Sequence, residues 1–181
     1  MGKIITYTRK RMDPGEASPS DIAIEDIAHA LSLLCRSGGQ FPTFYSVGQH
    51  SLACAKEAAA RGYSKDVQLF CLLHDASEAY ISDITRPVKE RLKEYLPIEK
   101  RLQNTIYTKF LGRLPDEEEQ KKIDDIDNSM LYHEFKKIMN HEVSDGDFEI
   151  NIELNTTFCG FETVEKEFLS EFCFLYCLSE G

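Results

Sequence analysis

Long apolar runs are missing from this chain of 181 residues. No stretch approaches the roughly 20 consecutive apolar residues needed to cross a bilayer, so a membrane-spanning helix is not expected. The opening segment, MGKIITYTRKRMDPGEASPS, carries basic side chains but no apolar segment of signal-peptide length, and a cytoplasmic location is expected. Positive charge is scarce too. With 21 Lys and Arg against 31 Asp and Glu, the net charge is −10 at pH 7. That balance argues against a protein that grips extended nucleic acid through a broad basic face. It does not argue against a small phosphorylated ligand, because a few cationic side chains or a metal ion reverse the potential locally. CxxC pairs are absent. Cys35, Cys54, Cys71, Cys159, Cys173 and Cys177 are scattered, most of them in apolar helical stretches, and they read as reduced core residues rather than a disulfide framework or zinc site. No internal repeat or low-complexity linker divides the chain, so residues 1–181 are expected to form a single domain.

What is present is mostly helical periodicity. Ile5 and Tyr7 alternate with polar residues in a short strand that Asp13-Pro14-Gly15 breaks. Ile24, Ile27, Ala28, Leu31 and Leu34 then mark a helix expected to end at Gly38-Gly39. Ser46 with Gln49 forms a capping box for a second helix that stops at Arg61-Gly62, and Ser64 begins a third, strongly apolar one. Pro87 suits the first turn of a further helix, interrupted near Pro97 and reaching Gly112. Asp116 with Glu119 caps another, whose buried stripe is Ile123, Ile126, Met130, Leu131 and Ile138. Residues 141–160 read as a loop with a short hairpin or extended segment, and a last helix covers about Glu162 to Leu178. The expected fold is all-α: five or more helices around a cleft, with very little sheet.

Three places on those helices carry chemistry. LFCLLHDASEAYISDITRPVK begins as an apolar helix and sets His74, Asp75 and Glu78 in one sector at its far end. A polar pair capping a core helix and a cation site are both compatible with that pattern. His50 lies in the first turn of its helix, where the positive end of the dipole favours the neutral imidazole that coordinates metal, although taken alone an ordinary polar histidine near a helix start is the better reading. Asp127 falls inside the apolar stripe of its helix, whereas Asp125 points away. A carboxylate there needs a compensating partner, either an Arg or Lys or a metal ion. Glu134 shares the Asp127 sector and is a candidate for supporting a ligand from behind. Together His50, His74, Asp75 and Asp127 offer two imidazoles and two carboxylates, a mixed donor set suited to a hydrolytic metal.

The order His, His-Asp, distant Asp, and more specifically FYSVGQHS followed by LLHDASEAYISDITRPVK, resembles the HD-domain metal-dependent phosphohydrolases. Within them it is similar to the small bacterial and phage branch of 5′-deoxynucleotidases and deoxynucleoside triphosphate phosphohydrolases. The likeness runs from IEDIAHALSLLCR to the helix holding Asp127 and weakens after Asn140. It implies an HD-type helical bundle in which His50, His74, Asp75 and Asp127 ligate a divalent ion (Mn, Co, Fe, Ni, Zn or Mg). It also implies that Glu78 positions or deprotonates the attacking water, that Asp83 stands near the leaving oxygen, and that Arg36 and Lys89 contact phosphate or sugar. The implied reaction releases phosphate from deoxynucleoside 5′-monophosphates or removes the phosphates of a deoxynucleoside triphosphate. Ser37 departs from the pattern, since an aromatic residue often follows the arginine, and base preference stays open. A (p)ppGpp hydrolase is the alternative enzyme, although those pair two acidic residues after the His-Asp and here Ala79 follows Glu78. A non-catalytic nucleotide-binding module is the alternative of another class. The expected partners are a small nucleotide and a second copy of the chain, with no extended nucleic acid and no membrane.

Overall fold

The computed structural model describes residues 2–143, 146 and 148–179. The expected all-α class is what is found. After a two-stranded antiparallel ribbon, β1 (Ile4–Ile5) and β2 (Arg11–Met12), the chain runs through α1 (Ile24–Leu33), α2 (Val47–Ala60), α3 (Lys65–Leu73), α4 (Glu78–Ile81), α5 (Arg86–Lys89), α6 (Tyr95–Leu111), α7 (Glu117–Met139) and α8 (Phe161–Ser179). Among the described residues no helix is long and apolar enough to cross a membrane.

The centre of the bundle is α2 with α3. Every residue from Val67 to Leu73 is buried, the signature of a helix covered on all sides. A short turn folds α3 back against α2, and α1, α7 and α8 close around the pair. Val164, Phe168, Phe172 and Leu175 make α8 a core helix packed on α1 and α3. Gly48 explains how closely α1 approaches α2. A Cβ at this position would lie 3.0 Å from Val164 Cγ1 and 3.2 Å from the carbonyl carbon and oxygen of Leu31. Backbone cannot yield as a side chain can, so Gly48→Ala is expected to lower unfolding free energy in denaturant titration by about 1–3 kcal/mol, the usual cost of overpacking.

Local signals hold where backbone chemistry alone decides. Ser46 accepts from the Gln49 amide at 3.1 Å while Gln49 Oε1 accepts from the Ser46 amide at 3.2 Å. Asp116 and Glu119 repeat the box at the start of α7. Gly112 closes α6 in the left-handed conformation. Four expectations change. The helix of residues 24–33 stops before Gly38-Gly39, because Leu34 turns extended and the 34–36 segment pairs with 45–47. Pro97 does not interrupt α6: it lies in the first turn, where a missing N–H breaks no helical bond, and the break falls before Tyr95. The described part of 141–160 contains no strand. Its amides are taken instead by the buried Glu57 carboxylate, which accepts from Asn151 N at 2.8 Å and Ile152 N at 3.1 Å. Residues 144, 145 and 147 of that stretch lie outside the described residues. Finally, only Cys54 and Cys71 are buried, whereas Cys35, Cys173 and Cys177 are exposed; all six are free thiols.

Candidate metal centre

Three elements converge on one point. His50 projects from the first turns of α2, fully buried. His74 caps the C-terminal end of α3, and Asp75 follows in the turn that leads to α4. Asp127 reaches in from the middle of α7. His50 Nε2 lies 3.2 Å from His74 Nε2, 3.1 Å from Asp127 Oδ1 and 3.8 Å from Asp75 Oδ2. His74 Nε2 lies 3.3 Å from Asp75 Oδ2 and 3.7 Å from Asp127 Oδ1. Metal bonds of about 2.0–2.2 Å to N and O place neighbouring donors roughly 3.0–3.5 Å apart. The four sequence-predicted ligands therefore come together at a separation that one divalent cation spans.

The ring orientations suit the same use. His74 Nδ1 meets the Cys71 carbonyl at 2.7 Å and His50 Nδ1 meets Glu134 Oε1 at 2.6 Å. Each imidazole is thus engaged through Nδ1 and turns Nε2 toward the cluster. A second donor grouping is present: His50, Cys54 and His74 offer ligand atoms within 4.8 Å of one another. Cys54 is the poorer donor, because burial pushes its thiol up to about 12 and keeps it protonated.

Charge bookkeeping adds a second argument for a cation. Asp75, Asp127 and Glu134 surround a single guanidinium, Arg36, which donates through Nη1 to Asp75 at 3.2 Å, through Nη2 to Asp127 at 3.4 Å and through Nε to Glu134 at 3.3 Å. Three carboxylates face the buried Arg36, and only Asp127 has a second guanidinium near it, the exposed Arg86 at 3.6 Å, so negative charge is in excess on the buried side of the cluster. Protons compensate: although burial and Arg36 act to lower it, His50 titrates well above its ordinary value because Glu134 and Asp127 face it. His74, against its burial, is raised to about 9 by Asp75 and Asp127. The helix dipole alone would favour a neutral His50, and the adjacent carboxylates outweigh it. Hydrogen bonds from the two rings, opposing burial, hold Asp127 well below the carboxylate range. Charge compensation of this kind is what a divalent ion supplies.

Glu78 and Asp83 line a cavity of about 380 Å³ beside the cluster, with Arg36, Ser37, Asp75, Lys89 and Asp127. Glu78 is 4% exposed. Its Oε2 has no hydrogen-bond partner among the described residues, an orphan acceptor that a donor entering the cavity would satisfy. Burial, with the nearby Asp75 and Asp83, raises Glu78 well above the usual carboxylate range. Asp83 is raised as well, chiefly by burial and against the pull of Arg36. Lys89 reaches the cavity, but its ammonium already bonds Glu99 at 2.6 Å and stands 3.5 Å from Glu78. Sequence reasoning passed over Arg86, which lines the same mouth 3.6 Å from Asp127 Oδ2. Its only signal was an arginine inside RPVK. The other histidines lie apart: His29 stacks on Tyr7 and meets Glu165 at 3.0 Å, and His133 contacts the Phe148 carbonyl.

Fold and cluster define an all-α protein in which His50, Cys54 and His74 form a group that could hold a metal ion, bordered by the carboxylates of Asp75 and Asp127. No protein-family profile matches the chain. It is 34% identical over 110 residues to the uncharacterized protein YfdR of Escherichia coli (strain K12), an alignment covering 61% of this chain and 59% of that one. It is 38% identical over 107 residues to an uncharacterized protein of Rhodobacter capsulatus, covering 56% of this chain and 54% of the other. The matched part spans less than two thirds of each of these curated relatives, and neither carries a stated activity.

Proposed function

We propose that this chain is a metal-dependent phosphohydrolase of the HD-domain kind, acting on deoxynucleotides. One observation carries the reading: the Nε2 atoms of His50 and His74 and the carboxylates of Asp75 and Asp127, brought together from α2, the end of α3 and α7, lie 3.1–3.8 Å apart across the ring-to-ring and ring-to-carboxylate pairs. Those four residues would hold the ion. When bound, it supplies Lewis acidity, drawing charge from a phosphoryl oxygen and acidifying water.

The chain's own groups account for the remaining work. Glu78, desolvated and with Oε2 free of protein donors, accepts the proton of the attacking water. Asp83, on the wall of the same cavity, delivers a proton to the departing oxygen. Arg36 offers a bidentate fork to the phosphoryl group, and Lys89 supplies a second cationic contact at the cavity wall. A phosphate monoester and a phosphoanhydride both fit these roles. A cytoplasmic setting and a homo-oligomer belong to the same reading.

The test is direct. Purified protein stripped by chelation, then given Mn(II) or Co(II), is expected to release phosphate, pyrophosphate or triphosphate from a panel of deoxynucleotides, with products separated chromatographically. Loss of pyrophosphate from (p)ppGpp instead would support the alternative. Metal and nucleotide binding without any turnover would reduce the chain to a sensing module.

A further inference from the structure

We infer that Glu134 is the positioning residue of the metal centre, fixing His50 with its Nδ1 protonated so that Nε2 is the ligand atom. The inference rests on the metal-site half of the reading above and not on phosphate hydrolysis.

Glu134 is fully buried on α7, two helical turns beyond Asp127 and on the same face. A carboxylate so placed is costly unless both oxygens are occupied, and here both are. Oε1 accepts from His50 Nδ1 at 2.6 Å, and Oε2 accepts from Arg36 Nε at 3.3 Å. Neither oxygen is among the described ligand-facing donors; Glu134 touches the cluster only through its partners. The short bond determines which nitrogen of His50 keeps its hydrogen, and the Arg36 bond stops the carboxylate from rotating away. His74 achieves the same orientation with a neutral acceptor, the Cys71 carbonyl. The two rings are thus unequal: His50, backed by an anion, is the more basic donor and binds the ion more strongly.

Glu134→Gln keeps the shape and one oxygen acceptor but removes the charge. In the full chain its affinity for Co(II), measured by competition with a chromogenic chelator, is expected to fall 10–100-fold. Unchanged affinity, whatever happens to the unfolding midpoint, would overturn the inference and leave only a buried ion pair with Arg36. A measurement on the unmutated, Zn(II)-loaded protein decides the matter without any variant. Imidazole nitrogen NMR should find His50 protonated at Nδ1 and metallated at Nε2, and the reverse assignment overturns the inference. If the unmutated protein binds none of these ions, the metal reading fails and takes this role with it. If it binds them tightly but cleaves no nucleotide, only the phosphohydrolase reading is lost, and the Glu134 assignment is decided by the two metal measurements alone.

Discussion

Asp127→Ala and His74→Ala are expected to abolish stoichiometric binding of a divalent ion and to lower phosphate release on the order of 10³-fold or more. The size follows from what is removed. Lewis-acid stabilisation of a phosphoryl transition state is worth several kcal/mol, and each ~1.4 kcal/mol is a factor of ten in rate. Geometry makes both residues necessary, since each faces the other and His50 across less than 4 Å. Asp127→Asn serves as the shape-preserving control. It keeps an oxygen in place but removes the charge that opposes the two imidazolium-prone rings, so it too should lose the ion while remaining folded by circular dichroism. Full activity in any of the three variants excludes these residues as ligands.

Glu78→Gln has a different expected signature. Metal affinity stays within about threefold of the parent, because Glu78 contributes no donor to the cluster, while kcat drops about 10²–10⁴-fold, the range for removing a positioned general base. The pH profile supplies the sign. A base works only when deprotonated, and burial with Asp75 and Asp83 raises the Glu78 pKa. Activity of the parent should therefore be low in acid and rise with pH through a limb lying above the ordinary glutamate value of about 4.3. Glu78→Gln should remove that limb along with the rate. A variant that lost metal instead, or a limb unchanged by the substitution, would remove Glu78 from the role of base.

Much of the site was legible because its residues obey local rules. Ser46-Val47-Gly48-Gln49 announces a helix start, and His50 follows one residue later. Asp127 announces itself as a carboxylate on an apolar stripe, and it does face inward among His50, His74 and Arg36. Arg36 was identified by resemblance, but its position was not readable from periodicity, which carries the first helix on to the glycines. The structure ends that helix at Leu33 and takes Ser37, Gly38 and Gly39 through positive φ, at 57°, 60° and 75°. A non-glycine residue at such an angle is uncommon. This turn, with the Arg36 amide bonded to the Tyr45 carbonyl at 2.9 Å, brings the guanidinium over three carboxylates.

The amino-acid sequence by itself determined the all-α class and both capping boxes and singled out His50, His74, Asp75 and Asp127 as candidates, because these depend on spacing along a helix and on the chemistry of single side chains; their use as ligands is what the family resemblance implies. Only the tertiary structure decided that Glu134 backs His50, that Arg36 bridges three anions, that the carboxylates facing His50 raise it against the helix dipole, and that Glu57 rather than a partner strand takes the amides of residues 151 and 152. Each of those outcomes is a contest between groups 39 to 98 positions apart. Electrostatics and hydrogen-bond satisfaction in a buried site depend on distance in space, which periodicity along the chain does not encode.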